Sequence, residues 1–364
     1  MIFDDILTIK NGKNQKAVEN PNGKYPIYGS GGVMGYADDY ICNANTVIVG
    51  RKGSINNPIF VEEPFWNVDT AFGLEAKQEV LLPKYLYYFC KHFDFERLNK
   101  AVTIPSLTKG DLLKIEIDLP IIEEQQIIID KLSGIEKIIG LRKKELQKLD
   151  ELIKARFVEM FGSIYDNKFG YDVMALQDVC EPIKDGTHQT PTYTEDTVNG
   201  YKFLSSKDVT SGKVDWNHLK YIPEELHNEL YKRISPRKGD ILLAKNGTTG
   251  VAAIVDRDEV FDIYVSLALL RPLGMVTSEY LCSAVNSVET KHQFDGSLKG
   301  IGVPNLHLGE IKKTKIIVPP IEIQEQFADF VKQVDKSKAT FIKNTLAIYT
   351  AIIILKIIIQ EESI

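Results

Sequence analysis

Two short turns carry the residues best suited to chemistry at a surface. They are Gly50-Arg51-Lys52-Gly53 and Lys245-Asn246-Gly247, and each follows an apolar run, residues 47–49 and 241–243. Cations and amides beside glycine let charged side chains and bare backbone N–H groups approach an anion such as a phosphate. That chemistry is recognition without bond breaking.

A catalytic constellation is not visible in the sequence. No G-x-x-x-x-G-K-[ST] phosphate loop occurs. The stretch Gly29-Ser30-Gly31-Gly32-Val33-Met34-Gly35 has Met34 where a dinucleotide loop needs its third glycine, so it reads as a polar turn. Asn57-Pro58-Ile59-Phe60 is one residue from the N-P-P-[YF] loop of amino-methyltransferases, but no glycine-rich cofactor loop accompanies it. The six histidines, His92, His188, His218, His227, His292 and His307, show no metal-ligand spacing. His188 sits in the polar loop Asp185-Gly186-Thr187-His188-Gln189-Thr190, which suits contact better than ligation. The acid pair Asp256/Asp258 lacks the lysine spacing of a metal-dependent nuclease. The expectation is no catalytic residue, no metal and no resident cofactor.

The elements that position these turns come in two sets. Pro105-Ser106-Leu107, Gly110, Pro120, Glu123 and Gln125 recur as Pro304-Asn305-Leu306, Gly309, Pro319, Glu322 and Gln324, always 199 residues later. An offset that long marks a duplicated domain rather than a solenoid unit. Within each copy, residues 81–93 and 278–287 read as corresponding amphipathic helices, and 115–119 and 315–318 as corresponding strands.

After Pro120 the apolar spacing becomes helical. Ile128, Ile135, Leu149 and the row Leu132, Ile139, Leu146, Ile153 recur by sevens, interrupted at Arg142 and Arg156. Pro120, Glu123 and Glu124 suit a helix start, and Gly162 a stop. The second copy has Phe327, Val334, Phe341, Ile348 and Leu355, with Val331, Lys338, Thr345 and Ile352 alongside. Two long helices with one apolar seam each bury it most economically against each other, antiparallel. The expected fold class is mixed α/β (α+β): two similar globular domains, a pseudo-twofold repeat, separated by an antiparallel pair of long coiled-coil helices. The expected boundaries are 1–120, 121–162, 163–319 and 320–364.

The chain has 364 residues and a net charge of −6. The first domain carries 13 basic and 15 acidic side chains, the second 18 and 21. A nucleic-acid partner would therefore have to be met by local clusters, or with help from another subunit. Cys42, Cys90, Cys180 and Cys282 are far apart, which fits a reducing cytoplasm. The N-terminus has no signal-peptide pattern, and residues 347–359, broken by Lys356, are too short to span a membrane.

The order domain, helix, domain, helix resembles the DNA-specificity subunit of type I restriction-modification systems. I-P-x-L…P-I-x-E-x-Q at 104–125 and V-P-x-L…P-x-x-E-x-Q at 303–324 carry that resemblance across essentially the whole chain. It implies two target-recognition domains, each reading one half of a bipartite, asymmetric site in double-stranded DNA. It also implies two methyltransferase subunits and restriction/motor subunits as partners, with S-adenosylmethionine, ATP and Mg used only by them. The helices would act as a ruler fixing the half-site spacing. A coiled-coil scaffold that joins two partners without reading DNA is the alternative. The candidate DNA contacts are Lys10, Asn11, Lys13, Ser30, Arg51, Lys52 and Thr103 in the first domain. In the second they are Lys184, Thr187, His188, Ser206, Lys207, Lys245, Asn246 and Lys299.

Overall fold

The computed structural model describes residues 1–101, 103–298 and 304–361, with side chains described to 343 in the last helix. The chain divides into two compact units, Met1–Leu141 and Arg142–Ile364.

In the first unit α1 (Phe3–Ile6) leads into β1 (Leu7–Asn11), followed by the hairpin β2 (Tyr25–Gly29) and β3 (Gly32–Ala37). Next come β4 (Thr46–Gly50), β5 (Ile59–Val61), β6 (Trp66–Asn67), β7 (Ala71–Ala76), α2 (Pro83–His92) and α3 (Lys109–Leu112). The helix α4 (Ile122–Phe161) starts here and continues into the second unit. There follow β8 (Asp172–Ala175), α5 (Leu176–Val179), β9 (Lys184–Asp185), β10 (Tyr201–Leu204), β11 (Lys220–Ile222) and α6 (Glu224–Arg233). Then come β12 (Ile241–Ala244), β13 (Ala252–Ile254), β14 (Phe261–Ile263), β15 (Leu267–Leu270), α7 (Ser278–Val285) and α8 (Val288–Ser297). The chain closes with α9 (Leu308–Lys313), β16 (Lys315–Val318) and α10 (Ile321–Glu361).

The duplication read from the sequence is a duplication of topology. One sheet has the order β1-β7-β4-β5 in the first unit and β9-β15-β12-β13 in the second. A three-stranded sheet is β3-β2-β6 in one and β11-β10-β14 in the other. In both, the last pair is parallel, β2 with β6 and β10 with β14. The fully buried runs Thr46–Gly50 and Ile241–Ala244 occupy the sheet interiors, where β-branched and leucine side chains pack on both faces. Phe3, Ile6, Val47, Val49, Phe72, Leu74 and Leu86 form the first core. Leu176, Val179, Ile241, Leu243, Leu270, Tyr280 and Leu281 belong to the second.

One expected strand is corrected. Residues 115–119 form no regular strand; Ile2 makes a single antiparallel bridge to Glu116. Phe3 N donates to Ile115 O at 3.0 Å and Ile117 N to Met1 O at 2.9 Å. The corresponding place in the second unit has a four-residue ladder between β16 and β8.

The repeated E-x-Q signal has a structural explanation. Gln125 is fully buried at the start of α4, and its Oε1 accepts from Leu82 N at 2.8 Å. Its Nε2 donates to Val80 O and Pro120 O at 2.8 and 2.9 Å. Gln324 does the same at the start of α10: Oε1 accepts from Thr277 N at 2.9 Å, and Nε2 donates to Met275 O and Pro319 O. Leu82 and Thr277 are the N-caps of α2 and α7. Each glutamine thus satisfies an otherwise orphaned helix N–H and clamps a long helix to its own domain.

Within the second unit α4 and α10 run antiparallel. Arg142 lies over Phe341, Asp150 meets Lys338, Arg156 lies over Phe330 and Phe161 meets Phe327, so partner numbers fall along α4 as its own rise. The two seam arginines are not gaps: they cover aromatic rings at 5.0 and 5.9 Å. Ile153 and Val331 pack on the core that holds Phe327, and Val334 is buried. Leu146 and Leu149 are half-buried here, as are Ile128, Leu132, Ile135 and Ile139 in the first unit. The side chains of Ile348, Ile352 and Leu355 lie outside those described. Lys338 is buried in the seam, with Asp150 at 2.7 Å and Asp335 at 3.3 Å. A polar group at such a position sets register. At Gly162, φ is +73° and the N–H returns to Val158 O at 2.8 Å, ending α4.

Candidate nucleic-acid interface

In each unit four of the candidate residues lie at one rim, where β1, β2 and β4, or β9, β10 and β12, run out. In the first unit Lys13 N donates to Asn67 O at 2.9 Å, Val68 N to Tyr28 O at 2.9 Å and Arg51 N to Thr70 O at 2.8 Å. In the second Thr187 N donates to Ile263 O at 3.1 Å, Tyr264 N to Leu204 O at 2.8 Å and Lys245 N to Ser266 O at 2.9 Å. The frame brings Lys13, Ser30, Arg51 and Lys52 together in one copy and Thr187, Ser206, Lys245 and Asn246 in the other.

Glycine is required where this frame closes. A Cβ on Gly12 would stand 1.8 Å from Val68 O, and one on Gly186 2.0 Å from Ile263 O. The cationic turns close on Gly53 and Gly247, at φ +82° and +76°.

The repeated P-x-L segment holds these turns. Gly53 N donates to Pro105 O at 3.0 Å and Leu107 N to Arg51 O at 2.9 Å. Gly247 N donates to Pro304 O at 3.1 Å and Leu306 N to Lys245 O at 2.8 Å. Lys52 bridges Ser106, and Asn246 bridges Asn305. Buried Leu107 and Leu306 anchor the segments.

The side chains on the two frames differ. Asn11, Lys13, Arg51, Lys52 and Thr103 are exposed. Among the described residues no carboxylate lies within 4 Å of Lys13, Arg51 or Lys52; Arg51 is steadied by the Phe72 ring at 5.7 Å. Lys10 is half-buried, 3.8 Å from Glu75. Ser30 is half-buried beside the turn.

In the second unit the expectation for Lys245 is corrected. Its side chain is 8% exposed and its Nζ is 3.2 Å from Asp185, so it is an internal ion pair rather than a surface cation. Thr187 is also buried, its Oγ1 accepting from Gln189 N at 3.2 Å. Asp185, absent from the residues singled out by sequence, also holds His188 at 3.3 Å and Arg233 at 3.5 Å. Exposed Lys184 donates to Arg233 O at 3.3 Å, Lys207 is exposed near Asp208, and Asn246 is half-buried. Ser206 N donates to Ser266 Oγ at 2.9 Å. Lys299 lies outside the described residues. Apart from His188, the Asp185 cluster is drawn from 48 and 60 positions away, at Arg233 and Lys245, and no local spacing announces it.

Nucleophile chemistry is poorly served at the thiols. Burial pushes Cys42, Cys180 and Cys282 up to about 12, and Cys90 is raised further by the same cause. Among the described residues no group of three or more His, Cys, Asp or Glu could hold a metal ion. No described helix is long and apolar enough to cross a membrane.

Residues 3–151 and 169–348 match the family described as type I restriction modification DNA specificity domain. The chain belongs to that family. It is 25% identical over 317 residues to the type I restriction enzyme MjaVIII specificity subunit of Methanocaldococcus jannaschii, covering 82% of this chain and 74% of that one. It is 23% identical over 314 residues to the EcoBI specificity subunit of Escherichia coli, covering 79% of this chain and 66% of that one. The crystal structure of the type I restriction-modification S subunit from M. genitalium shares the fold, with TM-score 0.56, 18% identity and coverage of 96% and 92%. A chain from a study of complex assembly and conformational transition of the type I R-M system gives TM-score 0.57 at 16% identity, covering 96% and 94%.

Proposed function

We propose that this chain is the non-catalytic specificity subunit of a type I restriction-modification complex. Each unit reads one half of a bipartite, asymmetric site in double-stranded DNA with its rim. The observation that carries this reading is one hydrogen-bonded rim frame built twice and furnished with different side chains. A common frame presents loops in the same way, and different loops read different sequences. The long helices set the spacing between half-sites and receive two methyltransferase subunits and the restriction/motor subunits. S-adenosylmethionine, ATP and Mg are used by those partners, in the cytoplasm.

A scaffold indifferent to DNA would need the helices but not two furnished rims. An electrophoretic shift of the chain with its methyltransferase subunits, against random-sequence competitor, separates the two. Site-selective binding is expected; partner binding with no preference among DNA sequences would favour the scaffold.

A further inference from the structure

We propose that Val33 and Met34 read thymine in the half-site recognised by the first unit, an inference that rests on the function proposed above. Successive strand side chains normally point to opposite faces, yet Val33 and Met34 are exposed at 54% and 61%. The cause is a shift in the β2–β3 hairpin. Ile27 pairs with Gly35 but Tyr28 with Val33, leaving Met34 as the extra residue of a bulge, and a bulge re-aims its side chain.

The hairpin end is slender. Gly29 faces Gly32, and the Met34 sulfur lies over Gly29, 2.7 Å from where a Cβ would stand. A Cβ on Gly31 would have nothing within 4 Å. Such a tip fits a major groove about 12 Å wide.

Its surroundings select the partner. Ser30 sets the tip against the cationic turn: its Cβ is 3.1 Å from the Cβ position of Gly50, and its Oγ is 3.8 Å from that of Gly53. Val33 and Met34 follow within four residues of Ser30 on a hairpin that packs against this turn, whose Arg51 and Lys52 have no carboxylate within 4 Å among the described residues. Exposed apolar side chains on such an element suit a polyanion that displays an apolar mark. In the major groove the only apolar group on a base-pair edge is the thymine C5-methyl. At the matching place in the second unit, β10 runs into a capped 3₁₀ turn, Ser206–Asp208, with no such apolar pair.

The test uses the full chain with its methyltransferase subunits and a duplex carrying the site mapped by host-genome methylation sequencing. Each thymine is replaced in turn by deoxyuridine, which removes only the methyl group. Wild type is expected to bind about threefold to fivefold more weakly at one or two positions, the effect of one apolar group left in water. In the double variant Val33→Ser with Met34→Ser those same replacements are expected to change nothing, with the thermal midpoint unmoved because both side chains are exposed. No deoxyuridine penalty in wild type, or penalties that persist in the variant, would overturn the inference and leave the proposed function standing. Wild type failing to prefer the mapped site would overturn both.

Discussion

Lys52 and Asn246 occupy one place in two copies of a turn, and Arg51 and Lys245 the place before it. In the first unit both side chains are exposed, with no carboxylate within 4 Å among the described residues; in the second, Lys245 is folded inward onto Asp185. The same backbone frame can therefore offer free charge or commit that charge to its own rigidity. We infer that the first rim contributes more of the salt-dependent grip, and the second more of the fixed polar surface.

The largest expected effect is on stability. Lys245→Met leaves Asp185 buried with only Arg233 and His188, and should cost about 2–3 kcal/mol in urea unfolding; Arg51→Met should cost almost nothing. Equal penalties would erase the contrast between the rims. Gln125→Leu and Gln324→Leu each strand a helix N–H and two carbonyls, and should cost about 2 kcal/mol apiece. A large difference between them would show that the two helix clamps are not equivalent.

Arg51→Ala with Lys52→Ala should lower the salt slope of DNA binding by about 1.8, at about 0.9 for each phosphate left unneutralised. An unchanged slope would take that turn off the DNA. The smallest effect concerns Glu136. Burial raises its carboxyl, but hydrogen bonds from Lys91 at 2.6 Å and Tyr88 at 2.9 Å outweigh it and hold it below the usual carboxylate range. A depressed pKa contributes stability above the unfolded value, lost as pH falls through the folded one. Glu136→Gln should remove that part of the acid limb, seen as a shallower fall in thermal midpoint below about pH 4.5.

Much of the fold was legible because the duplication keeps a constant offset and the helices keep a seven-residue period. Pro105-Ser106-Leu107 and Pro304-Asn305-Leu306 marked the repeat, although their job, pinning a turn by two backbone hydrogen bonds, is not in the letters. The glutamines of E-x-Q were visible as a signal and invisible as clamps, since the helix caps they hold, Leu82 and Thr277, lie more than 40 residues away. Residues 115–119 alternate like a strand, yet only one bridge forms, because pairing depends on what faces them. Lys245 looked like its counterpart Arg51, and only Asp185, folded beside it, makes the difference.

Domain exchange tests the central claim most directly. Residues 163–319 are replaced by the corresponding module of another family member, and methylated sites are mapped in the host genome. One half of the recognition sequence is expected to change while the other half stays. A change in both halves, or in neither, would contradict two independent readers on one frame.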